Sequence, residues 1–284
     1  MRLPAPLLRL KPDVHKNQYG HILIIAGSRN MLGASALCGL AAMRSGAGLV
    51  TLAVPQSLNT SLQKKISPVL MTFPLKETSA QSFSTEAFGQ LQKRLQDFDV
   101  IVIGPGLSQH PGTEKFILKV ITTVPQPLLI DADALNALTK KPKLLTWTST
   151  AMILTPHPGE MSRLIGTPKK SIEQHRNKVS QEFARQYHCV LLLKGHRTIV
   201  AGPNGESYTN TTGNAGMATA GSGDVLAGII AALLGQGLTA FEAAKCGAYL
   251  HGKAGDLAAR ERSKAAMIAT DIIDHIPQAI KKSG

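Results

Sequence analysis

The sequence contains little cysteine and no long hydrophobic run, and each shortage excludes a class of protein. The three cysteines, Cys38, Cys189 and Cys246, are far apart and form no CxxC pair, which argues against a disulfide framework and favours a reducing compartment. The longest strongly apolar helical run, residues 225–234, is about half as long as a segment that spans a bilayer. Residues 1–16 are interrupted by prolines and lack the apolar centre of a signal peptide. We therefore expect a cytoplasmic protein that does not contact a membrane.

Acidic and aromatic residues are also scarce. The chain has 18 Asp and Glu residues against 31 Lys and Arg, a formal charge of +13 at pH 7, and such an excess suggests an anionic partner. A nucleic-acid surface would need clustered cations and aromatic rings that stack on bases. The basic residues are instead dispersed, with short pairs such as Lys64-Lys65, and aromatic residues make up only 4% of the chain. The composition therefore predicts no nucleic-acid partner.

The residues that are plentiful predict one folded domain. With 284 residues, 43% of them hydrophobic and 17% charged, the chain can bury a large core and differs in composition from a disordered protein. No linker-like segment or internal repeat divides it. We expect a single domain over residues 1–284.

Short apolar runs alternate with helical patterns along the chain. They cover residues 21–26, 49–54, 100–103, 128–130, 152–154 and 190–193. Near-continuous apolar strands of this kind form parallel sheets covered by helices on both faces, so we predict a doubly wound α/β fold. Residues 199–208, with Asn204-Gly205 at the turn, predict a hairpin that adds an antiparallel edge. The polar stretch 76–96 is interpreted as a surface helix.

Unusual residues follow the ends of these strands. Ligands of open α/β sheets bind beyond the carboxyl ends of the strands. The residues at those positions are Gly27-Ser28, Gly104-Pro105-Gly106, Asp131, Asp133, His157 and Lys194-Gly195. Agreement between several strand ends predicts that this edge of the sheet carries the functional site.

The segment 212–234, TGNAGMATAGSGDVLAGIIAALL, contains the strongest chemical motif. Its apolar residues share one helical stripe that starts near Gly223-Asp224. The turn Gly221-Ser222-Gly223 would direct backbone N–H groups outward at the positive end of the helix dipole, where phosphate or a developing oxyanion binds. Asp224 would repel a phosphate there unless it takes a proton from an attacking hydroxyl. The local pattern is equally consistent with two roles for Asp224 and its turn, helix capping and phosphate chemistry.

Three other features have structural interpretations that compete with functional ones. His157 lies between two prolines and reads as a hydrogen-bonded loop histidine. Asp131 and Asp133 could hold a metal, or Asp133 could cap the helix that follows. His251 lies in an apparent helix, where a packed histidine is favoured over a ligand.

The motifs together resemble the ribokinase-like superfamily, and more narrowly the ADP/ATP-dependent NAD(P)H-hydrate dehydratases. GSGD alone would be weak evidence, but its combination with TPHPGE in this order is specific. The resemblance extends over nearly the whole chain and implies a three-layer α/β/α ribokinase-like fold with a central, mostly parallel sheet. The matching blocks run from about His15 to His251 and read HKNQYGHILIIAGSRNMLGA, AAMRSGAGLVTLAVP, IGPGLS, LLIDADALNAL, ILTPHPGE, LLLKGHRTIV and TGNAGMATAGSGDVLAG.

The resemblance implies an enzyme that repairs nicotinamide cofactors. Its members return the S-form of hydrated NADH or NADPH to NADH or NADPH at the expense of ADP or ATP, by phosphorylating the ring hydroxyl and eliminating phosphate. Mg²⁺ is expected from the phosphoryl chemistry, and a homo-oligomer, with a tetramer as one option, from the family. The epimerase domain that is sometimes fused to this enzyme is not found in the sequence, so dehydration alone is expected. Neither the donor nor the preferred hydrate is specified.

The resemblance also implies roles for individual residues. Asp224 corresponds to the catalytic base and contacts the substrate. Gly221, Ser222 and Gly223 would form an anion hole over the transferred phosphoryl group. Asn214 and Glu160 would support Mg²⁺ through water. The hydrated dinucleotide would contact Ala34, Gly106 and His157. The nucleotide would contact Lys194, Gly195, His196, Arg197, Thr198 and Gly223.

A small-molecule kinase of the hydroxymethylpyrimidine or hydroxyethylthiazole type is the alternative within this fold. Both chemistries begin with phosphoryl transfer, so GSGD does not distinguish them. TPHPGE followed by KGHRT favours the dehydratase.

Overall fold

The computed structural model describes residues 1, 3–4, 19–139, 141–148 and 150–284. The beginning of the block HKNQYGH, residues 15–18, lies outside the described residues, as does most of the segment 1–16 that was considered for a signal peptide.

Nine strands within the described residues form one sheet. They are β1 (His21–Ile25), β2 (Leu49–Pro55), β3 (Met71–Leu75), β4 (Val100–Ile103), β5 (Leu128–Ile130), β6 (Met152–Leu154), β7 (Val190–Leu193), β8 (Ile199–Ala201) and β9 (Ser207–Thr209). Their order is β3-β2-β1-β4-β5-β6-β7-β8-β9. The pairs from β3 to β7 are parallel, and β8 and β9 add an antiparallel edge. The predicted parallel sheet and the predicted hairpin are both confirmed.

Helices cover both faces of this sheet. The α-helices of the described chain are α1 (Gly33–Arg44), α2 (Asn59–Gln63), α3 (Ala87–Gln92), α4 (Pro111–Thr123), α5 (Ala132–Ala137), α6 (Pro158–Ile165), α7 (Lys169–Gln174), α8 (Arg176–Gln186), α9 (Ser222–Gly235), α10 (Ala240–Arg262) and α11 (Ala269–Lys281). Short 3₁₀ helices occur at Gln56–Leu58, Leu95–Asp97, Pro142–Trp147 and Ala215–Met217. Among the described helices, none combines the length and the apolar character needed to cross a membrane.

Alternation along the strands divides the interior into two cores. Successive strand residues point to opposite faces, so Ile22 and Ile24 pack under α1, α9, α10 and α11, whereas Leu23 and Ile25 pack under α3 to α8. Because both faces are buried, the central strands consist of near-continuous apolar residues. The arrangement is the predicted three-layer α/β/α fold.

Two segments differ from the sequence expectation. β3 is not among the predicted strands: its sequence MTFPL is partly exposed and contains Pro74, and proline is tolerated because β3 is an edge strand. The stretch 76–96, predicted as one surface helix, is α-helical only over Ala87–Gln92. Phe83 is fully buried and stacks on Phe116 with ring centroids 5.3 Å apart. The first part of the segment is a turn closed by an antiparallel bridge between Glu77 and Phe83, which is incompatible with one continuous helix.

Candidate active site

The carboxyl ends of the parallel strands meet at one edge of the sheet, as predicted. A Cβ on Gly104, after β4, would lie 1.7 Å from the carbonyl oxygen of Asp131, after β5, so only glycine allows these two loops to approach. Lys194, after β7, donates its backbone N–H to the carbonyl of Pro156, after β6, at 2.8 Å. The loops that carry the candidate residues are thus joined by direct backbone contacts.

A cavity of about 820 Å³ opens beside this edge. Its walls come from the loop after β7, the segment 210–219, the start of α9 and the middle of α10. Pockets of this size hold nucleotide-sized ligands. Many residues implied by the resemblance line it: His157, Lys194, Gly195, His196, Arg197, Thr198, Asn214, Ser222 and Gly223.

Asp224 lies in the first turn of α9, where the helix borders the cavity. Gly221 is the N-cap residue of α9 and has φ of 84°. No side chain caps this helix. Burial, with a further contribution from the carboxylate of Asp131, raises the pKa of Asp224 to about 7, against the opposing effect of Lys194. A carboxyl group with such a pKa can accept a proton near neutral pH. Capping does not explain Asp224, and acid–base chemistry is compatible with it.

Lys194 is surrounded by carboxylates. Its Nζ donates to Oδ1 of Asp131 at 2.8 Å and lies 3.8 Å from Oε2 of Glu160. Burial alone lowers the pKa of Lys194, but Asp131 and Glu160 outweigh this effect, so the pKa is raised and the ammonium stays charged. A Cβ on Gly223 would lie 3.5 Å from this Nζ. The charged lysine therefore lies at the start of α9, within contact distance of Gly223.

His157 is the N-cap residue of α6. Its Nδ1 accepts hydrogen bonds from the backbone N–H groups of Gly159 at 2.9 Å and Glu160 at 3.2 Å. The ring proton is therefore on Nε2, and burial lowers the pKa of His157, which keeps the ring neutral at pH 7. The interpretation as a hydrogen-bonded histidine is confirmed. Half of the side chain is nevertheless exposed (50%) at the cavity wall, and its Nε2 lies 3.5 Å from Oε1 of Glu160. A ligand that binds Nε2–H would therefore share it with this carboxylate.

The loop after β7 has an irregular backbone. Gly195 has φ of 142° and Arg197 has φ of 55°, and Thr198 Oγ1 donates to the Gly195 carbonyl at 3.1 Å. In the part of the chain that the structure describes, the backbone N–H groups of residues 195–197 donate to no protein acceptor. Unpaired amides in an irregular turn form an anion-binding arrangement.

Ala34 and Gly106 meet beside a second, smaller cavity. Gly106 has φ of 64°, and a Cβ there would lie 3.2 Å from the Cβ of Ala34 and 2.8 Å from that of Met31. Met31 also lines the second cavity, which measures about 460 Å³. A Cβ on Gly221 would lie only 2.4 Å from Leu37 of α1. The turn that starts α9 therefore packs closely on α1.

The described residues contain no preformed metal cluster. Among the described residues no three His, Cys, Asp or Glu side chains are grouped to hold a metal ion. The side-chain oxygen of Asn214 accepts from the N–H of Gly216 at 2.9 Å, and its amide donates to Gly255 and Asp256. One oxygen of Glu160 accepts a backbone hydrogen bond. The side-chain oxygens of Asn214 and Glu160 fit a cation that is held mainly by the phosphates of a ligand and that contacts the protein through water.

Asp131 and Asp133 act separately. Asp131 is 2% exposed and binds Lys194. Asp133 accepts the backbone N–H of Ser108 at 2.9 Å and the amide of Asn136 at 3.2 Å. No side chain caps α5. Neither the metal pair nor the cap considered from the sequence is found.

A family model described as NAD(P)H-hydrate dehydratase matches residues 22–278 of the chain. The chain belongs to this family. The bifunctional NAD(P)H-hydrate repair enzyme of Moorella thermoacetica is 48% identical over 277 residues, which cover 98% of the chain and 52% of the relative; the chain thus spans about half of that relative's length. The ADP-dependent (S)-NAD(P)H-hydrate dehydratase of Neisseria meningitidis is 36% identical over 260 residues, 90% of the chain and 83% of the relative.

A solved structure extends this similarity to three dimensions. The ADP/ATP-dependent NAD(P)H-hydrate dehydratase of Bacillus subtilis, co-crystallised with ATP and Mg²⁺, has a TM-score of 0.82 and 30% sequence identity, over 98% of this chain and 95% of that one. The resemblance deduced from the sequence motifs is confirmed. The nine-stranded sheet of the described chain is the ribokinase-like α/β fold.

His251 lies at the candidate site of this dehydratase-family chain, a position that the sequence does not reveal. It lies on α10 and lines the larger cavity, and its Nε2 is 3.2 Å from Oγ of Ser222. Burial lowers the pKa of His251 to about 4, so the ring is neutral. The local sequence GAYLHGK resembles any packed helix. Only the contact between α10 and α9 brings this histidine to the turn.

The positive charge of the chain is not concentrated at the site. Lys194 and Arg197 are the cationic side chains among the residues that line the larger cavity, and Arg29 lines the smaller one. Most of the +13 formal charge therefore lies elsewhere. It can steer anionic ligands toward the protein, but local contacts must hold them.

Proposed function

We propose that this chain catalyses the dehydration of the S-form of hydrated NADH and NADPH, with ADP or ATP as phosphoryl donor. The observation that carries the proposal is the carboxyl group of Asp224, with a pKa of about 7, at the start of a helix near the charged Lys194. Membership of the NAD(P)H-hydrate dehydratase family supports the reaction class. Both cavities are lined by residues that follow strand ends, and together they offer places for two substrates.

The first step transfers a phosphoryl group to the hydroxyl of the hydrated nicotinamide ring. Deprotonated Asp224 accepts the hydroxyl proton while the ring oxygen bonds to the terminal phosphorus of the donor. The bond from that phosphorus to its bridging oxygen breaks, which releases AMP from ADP or ADP from ATP. Phosphate is a far better leaving group than hydroxide, so the step prepares the elimination.

The second step eliminates phosphate. The lone pair of the ring nitrogen forms a bond to the neighbouring carbon as the carbon–oxygen bond to phosphate breaks. Loss of a proton from the adjacent ring carbon then restores the dihydronicotinamide. This proton is released to solvent. In sum, hydrated NADH and ADP become NADH, AMP, phosphate and one proton.

Other residues bind and orient the two substrates. The amides of Gly221 and Gly223 stabilise charge on the transferred phosphoryl group. The amide of Ser222, which was expected to share this role, instead donates to the carbonyl of Thr219 at 3.3 Å. The loop 194–198 holds the nucleotide phosphates through the unpaired amides of residues 195–197. Ala34, Gly106 and His157 contact the hydrated dinucleotide. The substrates then meet at the start of α9, where Asp224 lies.

Mg²⁺ enters the proposal through the nucleotide. The phosphates would supply its direct ligands, with Glu160 and Asn214 contacting it through water. When bound, it neutralises phosphate charge. No direct ligand from the protein is required.

The deciding experiment follows NADH absorbance after the chain is mixed with S-form hydrated NADH, Mg²⁺ and either ADP or ATP. Turnover with one donor supports the proposal and identifies that donor; hydrated NADPH is compared in the same way. Asp224→Asn, close in shape and unable to accept the proton, is the matched control. Phosphorylation of a hydroxymethylpyrimidine or hydroxyethylthiazole, without turnover of either hydrate, would establish the kinase alternative.

We also propose a cytoplasmic homo-oligomer without a nucleic-acid partner. These three statements follow from the resemblance and the composition. Light scattering of the purified protein tests the assembly, and salt-dependent retention on DNA tests the nucleic-acid prediction.

A further inference from the structure

Arg176, the first residue of α8, binds the loop that follows β7. Its Nη2 donates to the carbonyl oxygens of Leu193 at 2.9 Å and Lys194 at 3.2 Å, and its Nη1 donates to the carbonyl oxygen of His196. One guanidinium thus holds three carbonyls of one loop. Arg176 is not among the residues that line the cavity.

These hydrogen bonds determine where the loop amides point. In a trans peptide the N–H of one residue is directed opposite to the carbonyl of the residue before it. Because the carbonyls of Lys194 and His196 point toward Arg176, the N–H groups of Gly195 and Arg197 point away from it. These amides belong to the group that has no protein acceptor in the described structure, and their residues line the cavity.

The fit between Arg176 and the loop is specific. A Cβ on Gly195 would lie 3.0 Å from Nη2 of Arg176, so glycine is needed for the approach, and the positive φ of Arg197 needs support from outside the loop. The Nε of Arg176 is buried without a partner, and burial lowers the pKa of Arg176 despite the nearby Glu173. A planar guanidinium can bind several carbonyls in a fixed geometry, whereas a lysine ammonium acts as a point charge.

We propose that Arg176 is a positioning residue for the nucleotide. It turns the amides of Gly195 and Arg197 toward the nucleotide phosphates by holding the carbonyls on the opposite side of the loop, and it does not touch the nucleotide. The inference rests on the proposed function, because that function places a nucleotide against the loop 194–198.

The test compares Arg176→Ala and Arg176→Lys with the wild type and with Arg185→Ala, an exposed arginine of the same helix. Binding of ADP and ATP is measured by calorimetry and turnover by NADH absorbance. The position of the loop is followed by amide hydrogen exchange of Lys194, whose N–H is hydrogen-bonded to the Pro156 carbonyl, with mass spectrometry as the readout. For Arg176→Ala we expect the nucleotide Kd and KM to rise on the order of 10- to 100-fold, with kcat changed about threefold or less, and faster exchange in the loop. Arg176→Lys should recover part of the affinity, and Arg185→Ala should match the wild type.

The outcomes separate this inference from the proposed function. If the wild type neither binds nucleotide nor turns over hydrated NADH, the proposed function fails, while faster loop exchange in Arg176→Ala would still support the positioning of the loop. If the wild type is active and a folded Arg176→Ala keeps its nucleotide Kd, KM and loop exchange, the inference is overturned. If circular dichroism shows that Arg176→Ala does not fold, Arg176→Lys is the deciding variant. A wild-type nucleotide Kd in Arg176→Lys overturns the proposal, whereas weaker nucleotide binding with an unchanged kcat supports it.

Discussion

The two faces of the sheet are packed with different kinds of side chain. The core under α3 to α8 buries several large aromatic residues: Phe83, Phe88, Phe98, Phe116, Phe183 and Tyr187. The core under α1, α9, α10 and α11 consists mainly of alanine and aliphatic residues, with no buried phenylalanine among the described residues. The candidate base Asp224 belongs to a helix of this second, small-residue face.

Small residues let backbones approach on that face. A Cβ on Gly228 of α9 would lie 2.2 Å from the carbonyl oxygen of Cys38 on α1 and 2.9 Å from the Cβ of Ala41. The distance between packed helices depends on the side chains between them, so α9 is held against α1 at close range. We infer that this face positions the turn at the start of α9, which carries Asp224. The large side chains of the aromatic face stabilise the fold, and this face reaches the site only through residues at helix starts, such as Arg176 of α8.

The largest effect is expected from Asp224 itself. Asp224→Asn removes the proton acceptor and should lower kcat about 10³-fold, within the roughly 10²–10⁴-fold contribution typical of a general base. Steady-state kinetics and nucleotide calorimetry check this, since ADP binding should persist. Near-normal kcat would show that Asp224 is not the base.

The same variant should be more stable than the wild type. The pKa of Asp224 is about 7 in the folded protein, against 3.8 for an ordinary aspartate such as that of the unfolded chain. Between pH 3.8 and pH 7 the folded chain therefore holds a proton that the unfolded chain has released. Stability conferred by that proton is lost as the pH rises from about 4 to 7. Asp224→Asn should therefore gain on the order of 1–3 kcal/mol at pH 8, less near pH 4. Urea titrations at both pH values test the sign, and wild-type kcat should rise with pH up to about 7.

Phe116→Ala should destabilise the aromatic face without affecting the chemistry. Phe116 is fully buried and stacks on Phe83, and such truncations cost about 3–5 kcal/mol. Urea unfolding measures the loss, and kcat is measured on protein that is still folded. A kcat that falls together with the stability would contradict the division of roles between the faces.

Gly228→Ala is the matching change on the small-residue face. The new methyl group would overlap the backbone of α1, which costs about 1–3 kcal/mol, and moving α9 displaces Asp224, so kcat should fall about tenfold at saturating substrate. The control is Gly89→Ala in α3, where a Cβ meets nothing within 4 Å. That control should stabilise α3 by up to about 1 kcal/mol and leave kcat unchanged. Equal kcat in both variants would show that close packing of α9 is unimportant for the site.

Sequence patterns predict the parts of this molecule that depend on local order. β1, β4 and β7 are buried on both faces, and the turn 221–223 precedes an apolar helix, so each leaves a continuous signal in the chain. β3 leaves no such signal, because an edge strand tolerates a proline such as Pro74 and side chains that are exposed to solvent.

The contacts of Arg176 and His251 are not predictable in this way. Each residue lies on an ordinary helical segment and meets its partner only when two distant elements pack together. The elevated pKa of Asp224 likewise depends on burial and on Asp131, which lies at the end of another strand. Local patterns therefore indicate where the site lies, whereas its electrostatics depend on tertiary packing.

The smallest effect is expected at the contact between Ser222 and His251. Because the ring of His251 is neutral, its bond to Ser222 Oγ at 3.2 Å is an ordinary hydrogen bond worth about 0.5–1.5 kcal/mol. Ser222→Ala should thus lower kcat about two- to tenfold and leave the aromatic face intact. A double-mutant cycle with His251→Gln measures the coupling. If the two substitutions were additive in both kcat and stability, α10 would not help to position the turn, and the small-residue face would act on the site through α1 alone.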